Sequence, residues 1–174
     1  DENGQYYLDV DKDIDFEEKI KSRGEFLDDS TLNRFFFDAL HSALNLSDTT
    51  YVTNFQIWFY ELQWKNYNVT RPGYLFFGVP DERSTAQPPR DFYLYILPPF
   101  LNREWDDEGR GDEVIFQLMD YGEEFRELVK LYAGAKEMAS QSPQHQVTYS
   151  DIAGEYLLKL TRWLRNNLID HLQV

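Results

Sequence analysis

The sequence predicts an α+β domain: a mostly antiparallel sheet in the middle of the chain, packed by helices on its N- and C-terminal sides. Three observations carry this expectation. From Asp29 to Asp48, and again from Gly122 onward, apolar residues recur at three- and four-residue steps, the period of an amphipathic helix. Between Tyr51 and Leu118 the period falls to two, in runs rich in Tyr, Phe, Trp, Val and Ile, as strands require. The order of helices, then strands, then helices is that of an α+β arrangement, not of alternating β–α units.

Taken in order, Tyr6 to Val10 reads as a short strand. A weakly amphipathic helix follows, with Ile14, Phe16 and Ile20 on its apolar side and Gly24 near its end. In "DDSTLNRFFFDALHSALNLSD", Asp29 or Ser30 is placed to cap a helix by accepting from its free N–H groups. Leu32, Phe35, Phe36, Ala39, Leu40, Ala43 and Leu44 form its stripe.

In "YVTNFQIWFYELQW", Phe55, Ile57 and Phe59 alternate with Trp58, Tyr60, Leu62 and Trp64. Both faces are apolar, so this strand is expected to be central or covered on both sides. The turn-rich "KNYN" predicts a hairpin into Val69 and on to Tyr74–Val79. Phe92 to Leu97 and Val114 to Leu118 read as further strands.

Helices then return. Phe125, Leu128, Val129, Tyr132, Ala135 and Ala139 share one stripe, and Pro143 stops that helix from running on. A last helix carries Ile152, Tyr156, Leu160, Trp163, Leu164, Leu168 and Leu172, with Thr148 and Asp151 placed as a capping box.

At 174 residues, 42% hydrophobic and 17% aromatic, the chain suffices for one well-cored domain spanning residues 1–174. It starts without methionine and ends in an apparent helix, as expected of a segment of a much larger chain. No apolar run reaches the length that spans a bilayer. The net charge of −14 opposes phosphate backbones and anionic membrane surfaces, so neither is an expected partner of this segment. The acidic run Glu104 to Glu113 reads as a solvated loop.

The chemistry of common sites is missing from the sequence. There is no cysteine, and His41, His145 and His171 lie on separate segments without the spacing of a zinc pair. No P-loop and no G-x-S-x-G elbow occurs. A metal-dependent nuclease core opening at Pro80-Asp81 would need an acid two residues before a lysine. Leu128, Gly134 and Leu157 hold those places before Lys130, Lys136 and Lys159. No catalytic, cofactor-binding or metal-ligating residue is therefore assigned, and no cofactor is expected.

The candidate interaction site is the polar segment inside "GYLFFGVPDERSTAQPPRDFYLYILPPF", comprising Arg83, Ser84, Thr85, Gln87, Arg90 and Asp91. Pro88 and Pro89 stiffen it. Ser84, Thr85, Gln87 and Asp91 can satisfy loop backbone groups, while Arg83 is flanked by acids, Asp81 and Glu82, with Asp91 further along. On a functional reading, Arg83 and Arg90 form a two-armed clamp for a partner's carboxylate or phosphate. The expected outcome is divided: Arg83 holds the loop, and Arg90 is the more exposed arm.

The stretch "RPGYLFFGVPDERSTAQPPRDFYLYILPPF", with "YVTNFQIWFYEL" before it, resembles an internal region of very large bacterial ATPases. These belong to phage-resistance systems of the BREX and phage-growth-limitation type, with a PglY-like ATPase component. The similarity extends through "NRFFFDAL" and "DEVIFQL…EEFRELVKLYAGA" and so covers most of the chain. It implies a non-catalytic internal domain of a cytoplasmic multidomain ATPase in phage defence. Such a domain would pack against or couple the nucleotide-binding part, or dock another defence protein. The family's phosphate-binding motifs would lie elsewhere in the full chain. Two alternatives rest on the residues alone: a small stand-alone hydrolase using Asp81, Glu82 and Asp91, and an acidic decoy mimicking the charge of DNA.

Overall fold

A computed structural model describes residues 14–51, 55–101, 104–105 and 108–173. The expected strand at Tyr6–Val10 lies outside them. Helices α1 (Phe16–Glu25) and α2 (Asp29–Leu44) come first. Strands β1 (Ile57–Trp64), β2 (Val69–Phe77), β3 (Phe92–Ile96) and β4 (Glu113–Leu118) follow. Helices α3 (Gly122–Gln141) and α4 (Gln146–His171) then lead to the short strand β5 (Leu172–Gln173). The class is α+β, with the sheet in the middle and helices flanking it in sequence.

Local chemistry explains the helix starts. Asp15 Oδ1 accepts from Glu18 N at 3.0 Å, and Asp28 Oδ1 accepts from Thr31 N at 2.7 Å, each satisfying a free helical donor. The α2 cap is thus Asp28, not Asp29 or Ser30 as expected. Asn45 ends α2 in the left-handed conformation. Helix α4 starts at Gln146, so Thr148 and Asp151 lie inside it and do not form its capping box. The stripe expected to carry Leu172 stops at His171, and Leu172–Gln173 pair with β4 instead.

The sheet is five-stranded with the order β1-β2-β3-β4-β5. Its outer pairs are antiparallel: β1 with β2, and β4 with β5. Its central pairs, β2 with β3 and β3 with β4, are parallel. A parallel neighbour requires the chain to return along the strand before pairing again. That requirement explains why residues 78–91 and 97–112 are far too long for tight turns.

Both sheet faces are buried at the centre. On one, Trp58, Leu75, Phe77, Ile96 and Leu118 join the large core made with the four helices. On the other, Ile57, Tyr74, Phe76, Tyr93 and Tyr95 form a second, mainly aromatic cluster. Among the described residues no α-helix contributes to that second cluster; Ala86 of the 78–91 crossover belongs to it and is 1% exposed.

Strand β1 departs from expectation. It lies at the edge of the sheet, and only Ile57 and Trp58 are buried. The β2–β3 register begins at Gly73↔Phe92, so Val69–Pro72 and their β1 partners extend past β3. An apolar pattern on both faces does not distinguish a covered strand from one that projects.

Candidate functional site

The 78–91 crossover is a folded cover built on the aromatic face of the sheet. Pro80 opens a short 3₁₀ turn, Pro80–Thr85, where its missing N–H costs nothing. Gln87 Nε2 donates to Ser84 O at 3.2 Å, and the Gln87–Pro88 bond is cis. The buried Tyr74 hydroxyl donates to Pro88 O at 2.7 Å, fastening the loop to β2. Asp91 N donates to Pro72 O at 3.0 Å, and its carboxylate accepts from Arg71 at 3.2 Å. These bonds meet the loop's polar groups locally, as a non-repetitive segment over a core must do.

Arg83 is drawn inward. Its guanidinium lies 3.9 Å from the centroid of the Tyr93 ring and forks onto two acids at the start of β4. Nη1 and Nη2 donate to the Asp112 carboxylate at 2.9 and 2.6 Å, and Nη1 donates to Glu113 Oε1 at 2.6 Å. The hydrogen bonds from Arg83 hold the Asp112 carboxyl below the usual aspartate range. The same bonds, accepted by Asp112, raise the guanidinium of Arg83 further still. Glu113, 5% exposed, also accepts from the Tyr95 hydroxyl at 3.3 Å. Burial, with Glu113 beside it, pushes the Tyr95 hydroxyl up.

Arg90 sits over a different set of rings. Its guanidinium carbon is 4.0 Å from the centroid of Phe59, 5.0 Å from Tyr51 and 5.1 Å from Tyr74. Nη2 donates to the Tyr51 hydroxyl at 2.9 Å, and the backbone N–H donates to the Tyr93 hydroxyl at 3.2 Å. Arg90 is therefore half-buried against three aromatic rings, two of which, Tyr51 and Phe59, are themselves exposed. The two arginines are spent on separate structural tasks. Ser84 and Gln87 are exposed, as are Asp81 and Asp91, and Thr85 is half-buried.

Beside the loop lies a pocket of about 380 Å³, whose charged lining includes Asp81, Arg83, Glu108, Arg110 and Glu113. Both cations in it are already paired, since Arg110 reaches Glu108 and, at 3.8 Å, Glu113. Among the described residues, the lining supplies no spare positive charge for a phosphate. Sequence reasoning missed Asp112 and Glu113 as partners of Arg83 because they are distant in the chain. It also missed the box of Tyr51, Phe59 and Tyr74 around Arg90. Their period-two apolar spacing signals strands but says nothing of a guanidinium between them.

Residues 18–174 match the family model described as the DUF6079 third domain. The chain belongs to that family. No curated protein and no solved structure matches it. In this DUF6079 domain, no group of three or more His, Cys, Asp or Glu among the described residues is arranged to hold a metal ion. Among the same residues, no helix is long and apolar enough to cross a membrane.

Proposed function

We propose that this chain is a non-catalytic domain of a larger polypeptide, serving to pack against or couple a nucleotide-binding part or to dock another component. On the resemblance of its central stretch, we take that polypeptide to be a cytoplasmic phage-resistance ATPase. The observation that carries a docking role is the outer half of the β1–β2 hairpin. There Tyr60, Leu62, Trp64 and Tyr67 are 42%, 48%, 55% and 69% exposed. Contiguous aromatic surface of this kind is the chemistry of a partner interface. At roughly 25 cal/mol per Å² of apolar area, covering it yields several kcal/mol. The charged loop supports the same reading, because Arg83, Asp91 and Arg90 are occupied with holding the cover in place.

The test is a double substitution, Leu62→Asp with Trp64→Asp, in the full-length protein. Both side chains are exposed, so the two changes together should alter the stability of the isolated domain by no more than about 1 kcal/mol. Phage protection, read as plating efficiency, should fall at least tenfold. Undiminished protection by a normally folded variant would refute the docking role.

A further inference from the structure

We infer that the free edge of β1 is a strand-addition site for an extended segment of a flanking domain of the larger polypeptide, apolar at alternate positions and basic opposite Glu61. This rests on the docking reading above and names the surface and its occupant.

The backbone register supplies the first argument. Phe77 N donates to Gln56 O, so the hydrogen-bonded pairs of the hairpin recur at Trp58, Tyr60, Leu62 and Trp64. The N–H and C=O groups of Ile57, Phe59, Glu61 and Gln63 then point away from β2. Ile57 O is taken by Tyr51 N at 2.8 Å. Among the described residues, nothing pairs with those of Phe59, Glu61 and Gln63.

The edge also lacks the usual protection. Folded proteins blunt exposed edges with proline, lysine, bulges or very short strands. β1 runs for 8 residues in unbroken register with β2, with no proline, glycine or lysine inside it. Its side chains specify what is added. Tyr60, Leu62 and Trp64 lie on one face, so a new strand would set alternate apolar residues beside them, about 5 Å away.

Charge then selects among occupants. Glu61 is the one side chain within β1 that is charged at neutral pH, and it has no ion-pair partner among the described residues. A basic residue opposite is favoured, and a like charge there is disfavoured. A second copy would bring two chains of net charge −14 together and run one Glu61-bearing edge along another.

The experiment is residue-resolved amide exchange on the full-length protein, with photo-crosslinking from position 63. Expected is exchange at Phe59, Glu61 and Gln63 within about tenfold of their inward-bonded neighbours Tyr60 and Leu62. Gln63→Pro removes one outward N–H without touching the β2 ladder, and Glu61→Lys reverses the selecting charge. Each should restore fast exchange at the remaining outward amides, by at least tenfold. The crosslink should land on a flanking segment of the same polypeptide that alternates apolar residues and carries Lys or Arg. Outward amides that exchange a hundredfold faster than inward ones in the wild type would overturn strand addition. That result would leave the Leu62/Trp64 test of docking standing by itself. A crosslink to residues 1–13, to a second copy or to a separate protein would overturn the assignment of the occupant.

Discussion

At the scale of single residues, Arg83 and Arg90 show how one residue type serves two ends within one loop. Arg83 binds the crossover to β4 through two carboxylates and a ring face; Arg90 fills an aromatic box. Arg83→Ala would leave Glu113, which is nearly buried, without its main cation, at a cost of about 1–3 kcal/mol. The same change should let the Asp112 carboxyl return toward its ordinary pKa, which carbon-detected NMR titration can follow. The sign follows from the direction of the shift. Asp112 is lowered in the folded state, so its stabilisation is present above the usual aspartate range and is lost as pH falls through the folded value. An Asp112 titration identical in wild type and Arg83→Ala would contradict the fork. Arg90→Ala should lower the melting temperature too, by the loss of cation–π contact worth up to about 2 kcal/mol. An unchanged melting temperature would mean that the box is only loosely filled.

Among the elements, helices α1 and α3 cross at two glycines. A Cβ on Gly134 would collide with the carbonyl oxygen of Ile20, and one on Gly24 with that of Lys130. Both obstacles are backbone, which does not swing aside. Gly134→Ala should therefore destabilise by about 1–3 kcal/mol through overpacking, outweighing the roughly 1 kcal/mol that alanine offers a helix. Gly154 in α4 is the control, since nothing lies within 4 Å of its would-be Cβ. Gly154→Ala should stabilise by about 0.5–1 kcal/mol. Denaturant melts of both variants decide the matter, and equal effects would sink the account. Here "YAGAKEMA" does signal a small-residue helix face, but its partner α1 lies far back in the sequence.

Over the whole molecule, the high aromatic content makes stability sensitive to alkali. Burial, and secondarily Asp38, raises the Tyr132 hydroxyl to about 12. Burial also raises Tyr74, Tyr95, Tyr121, Tyr149 and Tyr156. Above an unfolded value of about 10 the folded state retains protons that the unfolded chain releases. The contribution is whole below about pH 10 and disappears as pH rises through the folded values. Urea melts should show a steep loss of stability from about pH 10 to 12, shallower in Tyr132→Phe. A variant as steep as the wild type would exclude Tyr132 from the effect.

By itself the sequence determined the element types, the α+β class and most core positions, because side-chain periodicity is a local property. Leu32–Leu40 and Phe125–Ala139 bury the faces that their spacing specifies. The polar crossover was legible as an ordered segment from its prolines and hydrogen-bonding residues. Only the tertiary structure decided that β2, β3 and β4 run parallel, since strand direction depends on where each connection delivers the chain. It alone placed Arg83 on Asp112 and Glu113, and Arg90 among Tyr51, Phe59 and Tyr74. It also set β1 at the edge, with every residue but Ile57 and Trp58 exposed. Each of these is a choice of partner between distant segments, settled by which surfaces must be buried together.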